Sequence, residues 1–336
     1  MSAATQLADR AAGGDRHAVA QLVSLIEDHR PTALPSRREV FKALERSGRR
    51  RGLVVGITGS PGSGKSSLIS RLADGLLRPS GPRSLAVVAV DPSSQSSRGA
   101  LLGDRTRLRP ATAERVFVRS QASSSALGGL APTTHLVAAV LTWLFDLVLV
   151  ETVGIGQSEA DIRHLAAEVV LVVGPLGGDE VQYLKAGIVE IPDLFVVSKW
   201  DEPAAARTFH QLRASLTLAR PLDVERLAIH RTSAKTGEGV ALLADDLRAR
   251  LTAHDPDASA LSAARHFFAR WVSEEWGHVG LRHLAHMGGA RACIKGEVDL
   301  VGAHASFNDS LLAYLVGCGA RPSVGGSPPP VDPVLR

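Results

Sequence analysis

Residues 53–66 read LVVGITGSPGSGKS, and this stretch decides the fold. Leu53–Thr58 is a short apolar run closed by glycine, the pattern of a strand buried on both faces. Gly59-Ser60-Pro61-Gly62-Ser63-Gly64-Lys65-Ser66 matches G-x-x-x-x-G-K-[ST], with Ser67 beside it, and Ser66–Leu77 reads as the helix that follows. In that setting the glycines let backbone N–H groups turn inward around phosphate oxygens, and the helix N-terminus adds positive potential. Lys65 is placed to reach the β- and γ-phosphates, and the Ser66 hydroxyl to bind Mg²⁺. The motif implies a nucleoside triphosphate without naming its base.

Outward from this core the same rhythm repeats. Leu85–Val90, Arg115–Val118, Leu147–Glu151, Val169–Val173, Leu194–Ser198 and Arg226–His230 read as further strands. Helical stretches lie between most of them: Thr133–Leu144, Val181–Ile188, Ala204–Leu216 and Val240–Leu251. Apolar strands alternating with helices predict an α/β fold, a doubly wound and mostly parallel sheet of P-loop type. Residues 1–50 read as an N-terminal helical segment, with apolar residues at helical spacing in Ala18–Glu27 and Arg37–Arg46. Residues 51–254 form the nucleotide-binding domain, 255–324 a His-rich C-terminal helical arm, and 325–336 a disordered tail.

Composition narrows the function. The 336 residues are 45% hydrophobic and 21% charged, which excludes collagen-like, fully disordered and disulfide-scaffold chains. The net charge of +4 is mild and its basic residues are scattered apart from Arg49-Arg50-Arg51, so no nucleic-acid face is implied. Cys293 and Cys318 are the only cysteines, which fits a reducing compartment. No apolar stretch approaches the roughly 20 residues of a membrane span, and the N-terminus lacks an apolar leader core. A cytoplasmic location without membrane attachment is expected. Arginine outnumbers lysine 32 to 6, so the position of each lysine is informative.

Two strands end in acids. Asp146–Glu151 is an apolar strand closed by a carboxylate and followed by Thr152-Val153-Gly154. Glu151 is thereby placed beside the phosphate loop to hold Mg²⁺, and Gly154 to bring backbone near the γ-phosphate. Asp91 closes a second strand, and Asp104 lies in the polar loop after it. For these two, a solvated loop acid is as good a reading as a metal-side acid. Gln157 reads either as a water-positioning group or as a switch hydrogen bond or partner contact.

The base-reading elements lie further on. Ser198-Lys199-Trp200-Asp201 and Ser233-Ala234-Lys235 resemble the N-K-x-D and S-A-K elements of GTPases. A carboxylate at Asp201 accepts from guanine N1–H and its 2-amino group, which adenine does not offer. The Lys199 stem lies along the base, and the Ala234 N–H donates to O6. Ser198 stands where asparagine is usual. Serine supplies only part of asparagine's hydrogen bonding between base loop and phosphate loop, so a reduced guanine affinity is expected. GTP is favoured over ATP.

Five further runs are more specific: Ala89–Ser94, Gly103–Arg107, Leu127–Ala131, Glu151–Glu159 (ETVGIGQSE) and Gly178–Gln182 (GDEVQ) leading to Lys185–Ile188. This ordered set resembles the MeaB/ArgK family, the methylmalonyl-CoA mutase-associated G-protein chaperones, from about residue 20 to about 240. The resemblance implies a homodimeric GTPase that docks on an adenosylcobalamin-dependent acyl-CoA mutase. It implies gated delivery of adenosylcobalamin and protection of the mutase, with its adenosyltransferase as a further partner. Lys65, Glu151 and Gln157 would be catalytic, and Ser66, Asp91, Asp104 and Glu151 would lie on the Mg²⁺ side. Lys199 and Asp201 would read guanine, and residues 151–161 would act as a switch. The chain departs from the family pattern at Ser198, at Gln95–Gly99, in Arg119–Ser123, at Val181 and Tyr183, and after about residue 255.

Other groups read less sharply. His278, His283, His286 and Cys293 fit a packed or solvated helix face better than a metal site. Arg105, Arg107 and Arg119 are candidate transition-state charges, though solvated or helix-pairing roles suit each better. Ser120–Ser125 reads as a loop. Slow hydrolysis, raised by a partner, is the expectation. A nickel-type metal-insertion GTPase and a P-loop small-molecule kinase are the alternatives.

Overall fold

The computed structural model describes residues 1–28, 30–48, 52–79, 81–91, 113–122, 130, 132–152, 157–175, 190–221, 227–295 and 300–319. Seven strands form one parallel sheet: β1 (Leu53–Thr58), β2 (Leu85–Asp91), β3 (Val116–Ala122), β4 (Leu147–Glu151), β5 (Glu168–Val173), β6 (Leu194–Val197) and β7 (Ala228–Arg231). Their order is β3-β2-β4-β1-β5-β6-β7. The phosphate-loop strand β1 is central, paired in parallel with β4 on one side and β5 on the other.

Side chains alternate across the sheet because the strand period is two. Val55, Ile57, Leu147, Leu149, Val170 and Val172 face one layer, where they bury α4 (Lys65–Leu76) and α8 (Val240–Leu251). Val54, Val148, Val150 and Val169 face the opposite layer, which contains α5 (Pro132–Leu144) and α6 (Gln157–Leu165). α6 presses on the sheet where β1 has glycine: a Cβ on Gly56 would stand 2.3 Å from Ile162 Cγ1. A smaller cluster packs α7 (Ala205–Ala219) on β5 and β6 through Leu171, Phe195, Leu212 and Leu216.

The N-terminal helices are α1 (Ala3–Ala12), α2 (Arg16–Ile26) and α3 (Leu34–Arg46). Ser2 caps the first by accepting from Thr5 N–H, and Asp15 caps the second by accepting from His17 and Ala18 N–H. They hold the sheet edge, since Arg119 of β3 pairs with Glu27 at the end of α2 and Gln121 Nε2 donates to Glu27 Oε1 at 2.9 Å. The first C-terminal helix, α9 (Pro256–His286), is capped by Asp255 and broken at Gly277, whose φ is 54°. α10 (Gly289–Cys293) and α11 (Leu300–Gly319) follow. Phe41 and Leu44 of α3, Leu141 of α5, Phe268 of α9 and Phe307 of α11 belong to one buried cluster. The N-terminal and C-terminal helices therefore share a core with α5.

Several sequence expectations shift. β3 runs on to Ala122, so residues 120–122 are strand and not loop. Arg115 lies in a short 3-10 turn, where its guanidinium donates to the Leu77, Pro82 and Arg83 carbonyls. Ser198 lies just beyond β6. The helix expected at 181–188 and the tail at 325–336 lie outside the described residues. Among the described residues no helix is long and apolar enough to cross a membrane.

Candidate nucleotide site

The loop between β1 and α4 needs backbone conformations that L side chains rarely adopt. Gly59, Gly62 and Gly64 have φ of 147°, 79° and 89°. At Gly59 space is also closed, because a Cβ would stand 2.1 Å from the Val172 carbonyl oxygen of β5. α4 opens at Lys65 with Gly64 as its N-cap, so the helix N-terminus faces the concave side of the loop. Lys65 is buried, and its Nζ donates to the carbonyls of Gly59 at 2.7 Å and Ser60 at 2.9 Å. The cation is thus folded over the cradle it is expected to serve.

Position in β4 explains where Glu151 points. It follows Leu147 and Leu149 at the strand period, and those side chains face the α4 layer. Glu151 accordingly meets α4: Ser66 Oγ donates to Glu151 Oε1 at 2.8 Å. The next residue locks the two strand ends, with Thr152 N–H donating to the Ile57 carbonyl at 3.0 Å and the Thr152 and Thr58 hydroxyls 2.9 Å apart. A hydroxyl and a carboxylate side by side at the phosphate loop form an all-oxygen donor set suited to a hard cation such as Mg²⁺. β2 ends at Asp91. The Asp91 and Gln157 side chains, Asp104 and Gly154 lie outside the described residues, as does 178–182.

The base loop follows β6. Ser198 is buried, its N–H donates to the Val173 carbonyl at 2.9 Å, and its hydroxyl donates to the Ser63 carbonyl of the phosphate loop. Serine therefore does tie the two loops together, despite replacing asparagine. Lys199 has a φ of 50°, the one positive φ outside glycine among the described residues. Its Cε lies 3.9 Å from where a Gly64 Cβ would sit, so its stem runs across the phosphate loop.

Asp201 and the loop after β7 face each other. Ser233 Oγ donates to Asp201 Oδ1 at 2.5 Å and accepts from Thr236 N–H at 3.1 Å. That hydroxyl, with Lys235 Nζ 3.7 Å from Oδ2, holds the Asp201 carboxyl below the usual carboxylate range. The carboxylate keeps lone pairs for further donors. The Ala234 carbonyl is anchored by Arg71 Nε of α4 at 2.9 Å, and Arg231 stacks over Trp200 at 5.2 Å.

Lys65, Ser66, Glu151, Ser198, Lys199, Asp201 and Ser233 thus meet at the carboxyl ends of β1, β4, β6 and β7, where open α/β sheets bind ligands. Sequence reasoning missed Thr58, Arg71 and Gly174. A Gly174 Cβ would stand 3.1 Å from Ser63 Cα, and a glycine directly after a buried strand was the available signal. Arg119 is held by Glu27 at the sheet edge, which gives it a helix-pairing role. His283 is buried with its Nε2 3.0 Å from Ser310 Oγ, a packed position.

A family profile described as methylmalonyl-CoA mutase-associated GTPase MeaB matches residues 19–274. The chain belongs to the MeaB family. Its phosphate loop is therefore that of a P-loop GTPase. A candidate GTPase of Pyrococcus abyssi is 41% identical over 220 residues, 63% of this chain and 64% of that protein. A mouse protein, methylmalonic aciduria type A homolog, mitochondrial, is 38% identical over 200 residues, 58% of this chain and 48% of its own length. The chain thus spans less than two thirds of either relative. Among solved structures, one described as an LAO/AO transport system kinase superposes with a TM-score of 0.62 over 94% of this chain and 99% of its own. At 21% identity that likeness concerns the fold alone.

Proposed function

We propose that this MeaB-family chain binds and hydrolyses GTP in order to gate the loading of adenosylcobalamin into a B12-dependent acyl-CoA mutase and to protect that enzyme. The observation that carries the nucleotide half is the meeting of Lys65, Ser66 and Glu151 with the Asp201–Ser233 pair at one end of the sheet. The mutase half is supported by the family's association with methylmalonyl-CoA mutase. A homodimer, and contact with the mutase's adenosyltransferase, belong to the same reading.

The chemistry needs little from the protein beyond position and charge. Lys65 exchanges its two loop carbonyls for the β- and γ-phosphate oxygens. Backbone N–H groups of residues 59–66 and the α4 N-terminus receive the charge that spreads over the transferred phosphoryl group. Ser66 and Glu151 would hold Mg²⁺, with Asp91 and Asp104 on the same side, and bound Mg²⁺ would neutralise phosphate charge. Asp201 accepts from N1–H and the 2-amino group of guanine, and Gln157 orients the attacking water. A nickel-insertion role or a small-molecule kinase would need a metal-ligand cluster or an acceptor pocket with its own base. The paired base-reading loops favour the GTPase.

Titration calorimetry with Mg²⁺ tests the reading, using GDP, ADP and XDP on the wild type and on Asp201→Asn. GDP preference that moves to XDP in the variant supports guanine readout, after which retention of a cobalamin mutase on the immobilised protein tests the client. ADP binding equal to or tighter than GDP binding overturns the GTPase assignment.

A further inference from the structure

The hydroxyl of Ser198 has one proton, and the structure shows where it is directed. It donates to the Ser63 carbonyl, with the Val173 carbonyl 3.3 Å away as its only other partner among the described residues. Both acceptors are backbone, and Ser198 is 4% exposed. The residue is enclosed between the phosphate loop and the end of β5, with its Oγ 3.8 Å from where a Gly64 Cβ would be. A serine hydroxyl offers a single donor, whereas an asparagine amide at the same place offers two. One asparagine N–H could make the same tie and leave the second for a ligand. Serine makes the tie and has no donor left.

The shape of a purine shows which ligand atom is affected. N7 and N9 belong to the same five-membered ring, and N9 carries the ribose and phosphates. With the phosphates in the 59–66 loop and the N1 edge at Asp201, N7 faces the stretch of base loop that touches the phosphate loop, which is Ser198. The neighbouring Lys199 stem is laid across Gly64, with its Cε at the phosphate loop.

We propose that Ser198 is a specificity-determining residue that removes N7 from recognition: guanine is read through its N1, 2-amino and O6 positions, and a nucleotide that lacks the acceptor at purine position 7 is accepted as well as GDP. This rests on the guanine reading given above. The hydroxyl acts as a positioning group that joins the base loop to the phosphate loop. Its loss weakens every guanine nucleotide alike.

The test is calorimetry with Mg²⁺ using GDP, 7-deaza-GDP and ADP on the full-length wild type, Ser198→Asn and Ser198→Ala. In 7-deaza-GDP a C–H replaces N7, so no hydrogen bond is accepted there. The wild type is expected to bind GDP and 7-deaza-GDP within about twofold of each other, since no hydrogen bond is lost. Ser198→Asn is expected to favour GDP over 7-deaza-GDP by on the order of tenfold, the worth of one added hydrogen bond. Ser198→Ala is expected to weaken both equally. A tenfold loss for 7-deaza-GDP on the wild type, with ADP still weak, overturns this proposal and leaves the guanine reading intact. ADP binding equal to GDP binding overturns both. A folded Ser198→Asn that binds GDP and 7-deaza-GDP equally overturns the assignment to Ser198.

Discussion

Arg270 Nη1 of α9 lies 2.5 Å from Asp161 Oδ2 of α6, joining the C-terminal helices to the first helix after Glu151. The same carboxylate oxygen accepts from Leu130 N–H at 3.1 Å. One turn further along α6, the His164 ring stacks on His266 of α9 with centroids 3.6 Å apart. α6 also covers Gly56 of β1, so α9 is anchored to a helix that packs directly beneath the nucleotide site.

The first prediction is that this ion pair is a fastener between the two layers. Its side chains are 20% and 14% exposed, so losing Arg270 leaves a poorly solvated carboxylate at Asp161, while losing Asp161 leaves Arg270 with Glu274 Oε1 at 2.7 Å as its remaining partner. Arg270→Ala and Asp161→Asn are each expected to destabilise by about 1–3 kcal/mol, with a coupling of about 1–2 kcal/mol in the double-mutant cycle. Urea unfolding of the four proteins measures this, and additive effects would show that the contact contributes nothing of its own.

A second prediction separates the two kinds of loop glycine. Gly62 has a φ of 79° with open space around it, so Gly62→Ala is expected to cost about 1 kcal/mol of backbone strain. Gly59→Ala places a methyl 2.1 Å from the Val172 carbonyl, which forces the loop off β5. Nucleotide binding should survive in the first and disappear in the second. A fluorescent guanine nucleotide reads both, and near-equal affinities would contradict the geometry.

Third, Glu151→Gln should uncouple the cation from the nucleotide. GDP affinity without Mg²⁺ is expected to stay within about twofold, because Lys65 and the loop N–H groups are untouched. The gain on adding Mg²⁺ should fall by on the order of tenfold, because a carboxylate donor has become a weaker amide. Titrations with and without EDTA decide, and an unchanged Mg²⁺ response would remove Glu151 from the cation site.

The fourth prediction concerns acid. His135 of α5 is fully enclosed and stacks on Phe267 at 4.5 Å, and burial pushes its pKa down to about 3. His304, stacked on Trp271, is likewise lowered to about 3, and His266 to about 4, both mainly by burial. The unfolded chain binds these protons near pH 6.5 and the folded chain does not. Stability is therefore complete above about pH 6.5 and drains as pH falls toward the folded values. For His135 alone the loss at pH 5 is of order 1–2 kcal/mol. Melting temperatures between pH 8 and 5 check this. His135→Phe should flatten the slope, and an unchanged slope would mean that His135 takes no part.

Much of this architecture was legible because burial on both faces leaves a plain mark. The bounds of β1 and β4 coincide with their apolar runs, and α8 with its periodic stretch. β3 was cut short because its second half, Arg119-Ser120-Gln121, is polar. That polarity is answered by Glu27, a residue far away in sequence, and local pattern carries no trace of such a partner. α6 escaped notice for a similar reason, since Ser158–His164 is mostly polar and one buried residue, Ile162, carries much of its contact with the sheet.

The site divides along the same line. Lys65, Ser66 and Glu151 were readable because a motif and a strand-end acid fix their places. The reach of Ser198 to the Ser63 carbonyl was not, because residue type alone made serine look like a partial substitute. Geometry shows that the short side chain suffices for the tie between the two loops once Gly64 and Gly174 let them approach.

The central position of β1 has a consequence for how the molecule is made. This strand leaves the ribosome well before its sheet partners, Leu147–Glu151 and the start of β5. Until those segments arrive, the LVVGIT run has no lateral neighbours, and its hydrogen-bonding edges and valines are open to other chains. The nascent phosphate loop is therefore a late product of folding. A chain halted before residue 147 would expose an aggregation-prone strand and no nucleotide site.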